Sequence, residues 1–276
     1  MTSPVPPPAR PSDPDLLALA LDIAEEAGRM IATAREGTVT VADRKSSSTD
    51  VVTQVDRDAE ALIRQRIAEA RPDDGFFGEE SGGGEGSSGL TWVVDPIDGT
   101  VNYLYGIPHY AVSIAVVEGP ADPAHWVERV GVVLNPASGE TFTAVRGGGA
   151  FRGGRALRIP SPPTLDQALV ATGFAYDAEL RGRQGAAVAR MLPRVRDIRR
   201  LGTASLDLCN LAAGRVDVYF ERTLNPWDHA AGGLVVQEAG GIVVGRAGAA
   251  PGRDFLIAVH PELLSAVEDL LDDIEA

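Results

Sequence analysis

Cysteine is almost missing from this sequence: of 276 residues only Cys209 is one, so no intrachain disulfide can form and a cytoplasmic location is the default expectation. Lysine is just as scarce, since Lys45 is the single lysine among 25 basic residues. Basic residues are themselves outnumbered by 39 acidic ones, and the net charge of −14 argues against broad binding to nucleic acid or to an anionic membrane, both of which need a basic face. No apolar run approaches the roughly 20 residues that span a bilayer. The four histidines are scattered without metal-ligand spacing. The N-terminus, MTSPVPPPARPSDPD, lacks the apolar stretch of a signal peptide, so residues 1–12 are expected to form a disordered Pro-rich tail. What remains is a hydrophobic content of 44%, ordinary for a soluble globular chain, and enough length for one large layered domain over residues 13–276.

A first helix is expected from about Asp13, with Pro14 at its first helical position and an apolar stripe at Leu17, Leu21, Ala24, Ala27 and Ile31. Thr38 to Val41 reads as a strand, and a second amphipathic helix follows Asp56 and ends near Pro72. Strands then dominate from Thr91 to Arg146. After the Pro-rich break at 159–164 the pattern changes to strands alternating with helices that begin near Thr203, Asp228 and Pro261. The domain is therefore expected to have an α+β half at about 13–158 and an α/β half at about 165–276. Ser81 to Gly89, reading SGGGEGSSG, is expected to be a mobile loop.

The chemistry concentrates in four acidic segments: 50–56 (DVVTQVD), 78–81 (GEES), 92–100 (WVVDPIDGT) and 226–228 (PWD). In the third, alternation along a strand that Pro96 ends leaves Asp95 at the strand terminus. Asp98 follows across the bend, and Ile97 between them offers a carbonyl oxygen. Two carboxylates and a carbonyl within four residues make a hard-cation site suited to Mg²⁺. Gly99 and Thr100 then open a short helical segment through Tyr105, where free backbone N–H groups can hold a phosphate. Clustered carboxylates holding divalent cations would also reverse the local field of so acidic a chain and admit an anionic ligand. Cys209, on the apolar segment ASLDLCNLAAG, reads as a buried structural thiol and not a nucleophile.

These four motifs, in this order and with the last continued as Trp227-Asp228-His229-Ala230-Ala231-Gly232, resemble the signature of the inositol monophosphatase family. The stretch 101–110 is similar to bacterial, especially actinobacterial, members. The resemblance implies a layered α-β-α-β-α sandwich of the inositol monophosphatase and fructose-1,6-bisphosphatase type, together with two or three Mg²⁺ ions, sensitivity to lithium, and a homodimer. It implies that Glu79, Asp95 and the Ile97 carbonyl hold one ion and Asp95, Asp98 and Asp228 a second. Asp56 and Thr100 would orient the attacking water with Glu79 beside them, and the Gly99 and Thr100 amides would hold the phosphate. Glu221, the Ala204 backbone and Asp98 would face the hydroxyls of the alcohol. Phe174 stands near a position that is serine in eukaryotic inositol phosphatases.

The implied activity is hydrolysis of a small phosphorylated polyol, myo-inositol 1-phosphate, by metal-activated water. Histidinol phosphate and sugar or adenine bisphosphates are the competing substrates, since a carboxylate such as Glu221 suits vicinal hydroxyls but could also pair with an ammonium. Some bacterial relatives also bind the transcription machinery and RNA, a role that the acidic balance disfavours here.

Overall fold

The computed structural model describes residues 12–37, 39–45, 51–119, 122 and 124–275. Residues 1–11 of the expected tail, Thr38 of the first expected strand and Asp50 of the first acidic segment lie outside these residues.

Helix α1 (Asp13–Arg35) has Ser12 at its N-cap position without a side-chain capping bond, one residue before the Asp13 cap that Pro14 at the first helical position implies, and Asp13 and Asp15 sit in its first turn, where negative charge meets the positive end of the helix dipole. Its buried stripe is Leu16, Ala20, Ile23, Ala24, Ala27 and Ile31. Leu17 and Leu21, expected inside, lie at the margin of this stripe and are only partly buried. Strand β1 (Val41–Arg44) pairs antiparallel with β2 (Val51–Thr53), which leads into α2 (Gln54–Ala70).

Eight strands form the larger sheet: β3 (Gly75–Gly78), β4 (Gly82–Gly84), β5 (Leu90–Asp98), β6 (Ala111–Glu118), β7 (Val127–Asn135), β8 (Glu140–Val145), β9 (Gly149–Arg152) and β10 (Arg155–Ala156). Helix α3 (Thr100–Tyr105) joins β5 to β6. The sheet order is β10-β9-β8-β7-β6-β5-β3-β4. The glycine-rich 81–89 segment departs from its expectation here. Gly82–Gly84 pairs with Phe76–Gly78 as an edge strand, because ladder hydrogen bonds use the backbone and need no side chain.

The second sheet contains β11 (Leu169–Thr172), β12 (Asp197–Arg199), β13 (Val218–Glu221), β14 (Ile242–Val244) and β15 (Leu256–Val259) in the order β12-β11-β13-β15-β14. Strand β11 is parallel to both its neighbours, whereas β15 is antiparallel to its own. Between these strands run α4 (Ala178–Met191), α5 (Ala204–Ala212) and α6 (Pro226–Glu238), and α7 (Leu264–Asp273) follows β15.

The layers follow from which face each strand residue takes. Trp92 and Val94 on β5 join α1 and α2 in one core, while Val93 between them joins α5 and α6 in another, as a period of two requires. The other face of the second sheet packs Val170, Val218 and Ile257 against α4 and α7. The stack is therefore helices, eight strands, helices, five strands, helices. Helix α6 comes close to the larger sheet at Gly131, where a Cβ would lie 2.8 Å from the Ala231 carbonyl oxygen. The Ser113 hydroxyl donates to the Trp227 carbonyl at 3.2 Å, so the start of α6 is tied down beside the end of β5.

Candidate active site

Strand β5 does not stop at Pro96. Its ladder with β6 is interrupted between Asp95 and Asp98 and resumes with Asp98 opposite Ala111, so the expected strand end is a bulge. A bulge re-aims the side chains it carries. Asp95 lies at its start, with Oδ1 accepting from the Ile97 amide at 3.0 Å. Gly99 follows with φ 92°, a left-handed conformation that glycine takes at little cost, and a Cβ there would meet the Thr203 hydroxyl at 2.4 Å.

Asp56 is positioned by its own helix. Thr53 and Asp56 form a capping box at the start of α2, in which the Asp56 carboxylate accepts from the Thr53 amide at 2.9 Å and from the Thr53 hydroxyl. Its other oxygen, Oδ1, lies 2.9 Å from the Thr100 hydroxyl, which is also 3.1 Å from the Ile97 carbonyl. The Asp56–Thr100 pair expected from sequence is thus assembled across 44 residues. Burial raises the Asp56 carboxyl above the usual range, opposed by the hydrogen bonds from Thr53 and Thr100.

Asp98 is held by α5, accepting from the Ser205 amide at 2.7 Å and from the Ser205 hydroxyl at 2.6 Å. Burial pushes its carboxyl up to about 6 against the pull of those bonds. Asp228 accepts from the Asn225 amide at 2.6 Å in the first turn of α6. Burial raises Asp95 well above its usual range, and the charges of Glu79, Asp98 and Asp228 raise it further. Those four carboxylates therefore share one neighbourhood, although they come from β3–β4, β5 and α6. Lys45 reaches across to them, with Nζ 2.8 Å from Glu79 Oε1 and bonded to Glu80 as well. Glu80 is anchored from behind through its amide, which donates to buried Glu60 at 2.8 Å.

Carboxylates crowded this way favour a multivalent cation, because each raises the cost of ionising the next. The donor set is carboxylate and carbonyl oxygen throughout, the chemistry that suits Mg²⁺. Yet among the described residues no three His, Cys, Asp or Glu side chains already stand in a metal-holding group. Glu79 is bonded to Lys45 and shares a hydrogen bond with Asp95, which also accepts from the Ile97 amide, while Asp98 is bonded to Ser205 and Asp228 to Asn225. The residues fit the ion by the chemistry of their donors and by their shared neighbourhood.

The residues expected from sequence to face the alcohol lie toward the second sheet. Glu221, at the end of β13, accepts from the Tyr219 hydroxyl at 2.7 Å, and burial lifts its carboxyl to about 7 against that bond and the charge of Arg200. Its carboxylate rests on Gly173, where a Cβ would lie 2.0 Å from both oxygens. Ala204 opens α5 beside Asp98, and Arg200 packs over the ring of Phe174.

Sequence reasoning missed the groups that hold these residues. Thr53 and Asn225 could have been found, since each stands three residues before the acid it caps. Ser205 and Gly173 carry no such local signal, because their partners are remote in the chain; Tyr219 stands two residues before Glu221 on the same strand and therefore on the same face, a spacing that sequence reasoning did not use. Lys45 stood out only as the single lysine.

Five layers with clustered acidic residues at the end of β5 are the architecture of the inositol monophosphatase and fructose-1,6-bisphosphatase type. The model of the Inositol monophosphatase family matches residues 13–270, and this chain belongs to that family. It is 43% identical over 238 residues to the Mycobacterium tuberculosis inositol-1-monophosphatase SuhB, covering 81% of this chain and 80% of the relative. It is 42% identical over 231 residues to the Escherichia coli Nus factor SuhB, covering 83% and 84%. The crystal structure of the Bartonella henselae extragenic suppressor protein suhB superposes with a TM-score of 0.85 at 37% identity, covering 93% of this chain and 98% of that one.

Proposed function

We propose that this protein is a Mg²⁺-dependent phosphomonoesterase that hydrolyses myo-inositol 1-phosphate. The observation that carries the reading is the meeting of Glu79, Asp95, Asp98 and Asp228 beside a buried Asp56–Thr100 pair. Glu79, Asp95 and the Ile97 carbonyl would hold one ion and Asp95, Asp98 and Asp228 a second, with Glu79 also able to serve a third. When bound, magnesium supplies a water of lowered pKa and positive charge against the phosphoryl oxygens.

The protein's own groups do the rest. Asp56 accepts a hydrogen bond from the Thr100 hydroxyl, which leaves the Thr100 oxygen free to accept one from water and aim it. The Gly99 and Thr100 amides hold the phosphoryl oxygens. Glu221, the Ala204 backbone and Asp98 face the alcohol hydroxyls. Cys209, fully buried with burial raising its thiol well above the ordinary range, is not available as a nucleophile, so attack by water is direct.

Phosphate release from inositol 1-phosphate, histidinol phosphate and a sugar bisphosphate, with and without Mg²⁺, tests the assignment. Preference for either of the other two would sink the inositol reading and leave the phosphatase standing. A second reading comes with the relative named as a Nus factor, and pull-down of RNA polymerase by this chain would support it. The assembly we propose is a homodimer in the cytoplasm, testable by sedimentation. No helix among the described residues is long and apolar enough to cross a membrane.

A further inference from the structure

Asp207 is a buried acid that none of the roles above uses. It is 1% exposed, and its Oδ1 is buried without a hydrogen-bond partner. It lies in the first turn of α5, three residues after Ala204. Helical side chains tilt toward the N-terminus and cover the preceding turn, which lays Asp207 over the turn that begins at Thr203 and Ala204. Helix α5 packs on β13, the strand that carries Tyr219 and Glu221.

The charges facing it come from every element around it. Glu221 of β13 and Asp98 of β5 repel its carboxylate, and Arg200, just after β12, attracts it. Tyr219 is fully buried beside both Asp207 and Glu221, and Asp228 of α6 feels the Glu221 charge from the other side. Arg200 is shared, since it also faces Glu221 and lies over Phe174. Two carboxyls thus stand against one guanidinium. A buried ionised carboxylate with an unpartnered oxygen is far costlier than its neutral form. Of the two acids Asp207 is the deeper, while Glu221 has the Tyr219 hydroxyl to support its charge.

We infer that Asp207 is a positioning residue of the alcohol side, which as an uncharged acid holds Glu221 in place to accept a substrate hydroxyl. Glu221 can then stay ionised without a second anion behind it. The inference rests on the polyol reading and assigns that reading an element none of the family motifs quoted above contains. Burial carries it first; the elevation of the Asp207 carboxyl, caused by burial and then by Glu221, agrees with it.

Two variants and one spectrum test it in the Mg²⁺-loaded protein. Asp207→Leu should raise KM for inositol 1-phosphate about tenfold while kcat and the hydrolysis of 4-nitrophenyl phosphate change less than about threefold. Asp207→Asn, which mimics the neutral acid, should restore KM to within about threefold of wild type. An equal loss for both substrates, no loss at all, or an Asn variant as poor as the Leu variant would overturn the proposal. In protein labelled with ¹³C-aspartate, one side-chain carboxyl should remain protonated at pH 7 and be missing from Asp207→Asn. If every aspartate is ionised the proposal falls, whichever ester the enzyme prefers and even if the Leu variant does not fold. Wild-type protein that prefers 4-nitrophenyl phosphate to every polyol phosphate would instead refute the polyol reading, with the spectrum still deciding the charge of Asp207.

Discussion

The residues proposed to act on the phosphate and those proposed to face the alcohol are held in place differently. At the proposed phosphate end three of the acids are bonded to a residue two or three positions away, Asp56 to Thr53, Asp95 to the Ile97 amide and Asp228 to the Asn225 amide, while Glu79 is bonded to the more distant Lys45. At the proposed alcohol end Glu221 is bonded to Tyr219 on its own strand, but the groups around that pair come from separate elements and meet through packing, with Glu221 resting on Gly173 and Arg200 on Phe174. Local bonding fixes an acid wherever its helix or bulge goes, and such geometry tolerates change elsewhere. Packing fixes a side chain only as well as its neighbours fit. The phosphate end should therefore fail all at once for every substrate, and the alcohol end by degrees and selectively.

The largest effect should come from taking the metal away. Excess EDTA should reduce hydrolysis of every ester to background and Li⁺ should inhibit, because an all-oxygen donor set selects small hard cations; full turnover in EDTA would remove the metal from the mechanism. Asp95→Asn comes next, with a loss of about 10³-fold or more in kcat for polyol and aryl substrates alike, since Asp95 is the carboxylate proposed to serve both ions and its charge is withdrawn. Circular dichroism should show the fold retained, and near-normal turnover at saturating Mg²⁺ would place the metal site elsewhere.

Glu221→Gln should cost about 1.5 to 3 kcal/mol in kcat/KM for inositol 1-phosphate, the range for a hydrogen bond to a charged group, and nearly nothing for 4-nitrophenyl phosphate. Mg²⁺ affinity measured by calorimetry should not move, and an equal loss on both substrates would erase the contrast between the two ends. The same residue predicts a pH dependence. Its carboxyl is raised from 4.5 to about 7, so its stability contribution is fully present below about 4.5 and lost as pH rises through about 7. Hydroxyl recognition runs the other way, because the ionised form is the acceptor. The ratio of kcat/KM for inositol 1-phosphate to that for 4-nitrophenyl phosphate should rise through pH 7 and stay flat in Glu221→Gln.

Gly173→Ala should be the mildest, about a three- to tenfold rise in KM for the polyol substrate alone, as Glu221 shifts away from the added methyl group. An unchanged KM would show that the carboxylate has room to move without consequence.

The sequence by itself determined the family, the order of the acidic motifs and most of the strands and helices, because these rest on local properties. Asp-Pro-Ile-Asp-Gly-Thr bends a chain and gathers oxygen donors within a few residues, and period-two and period-3.6 patterns mark which faces are buried. Even so, the capping positions of α1, the pairing of the glycine-rich 82–84 segment and the bulge from Asp95 to Asp98 differ from the local reading, since each is set by a partner strand or by the first helical turn. Only the tertiary structure decided that Lys45 reaches Glu79, that Ser205 holds Asp98 across 107 residues, and that Glu221 needs a glycine beneath it. Those contacts join segments remote in the chain, and local sequence encodes no distance between such segments; the packing of α5 and α6 between the two sheets supplies it.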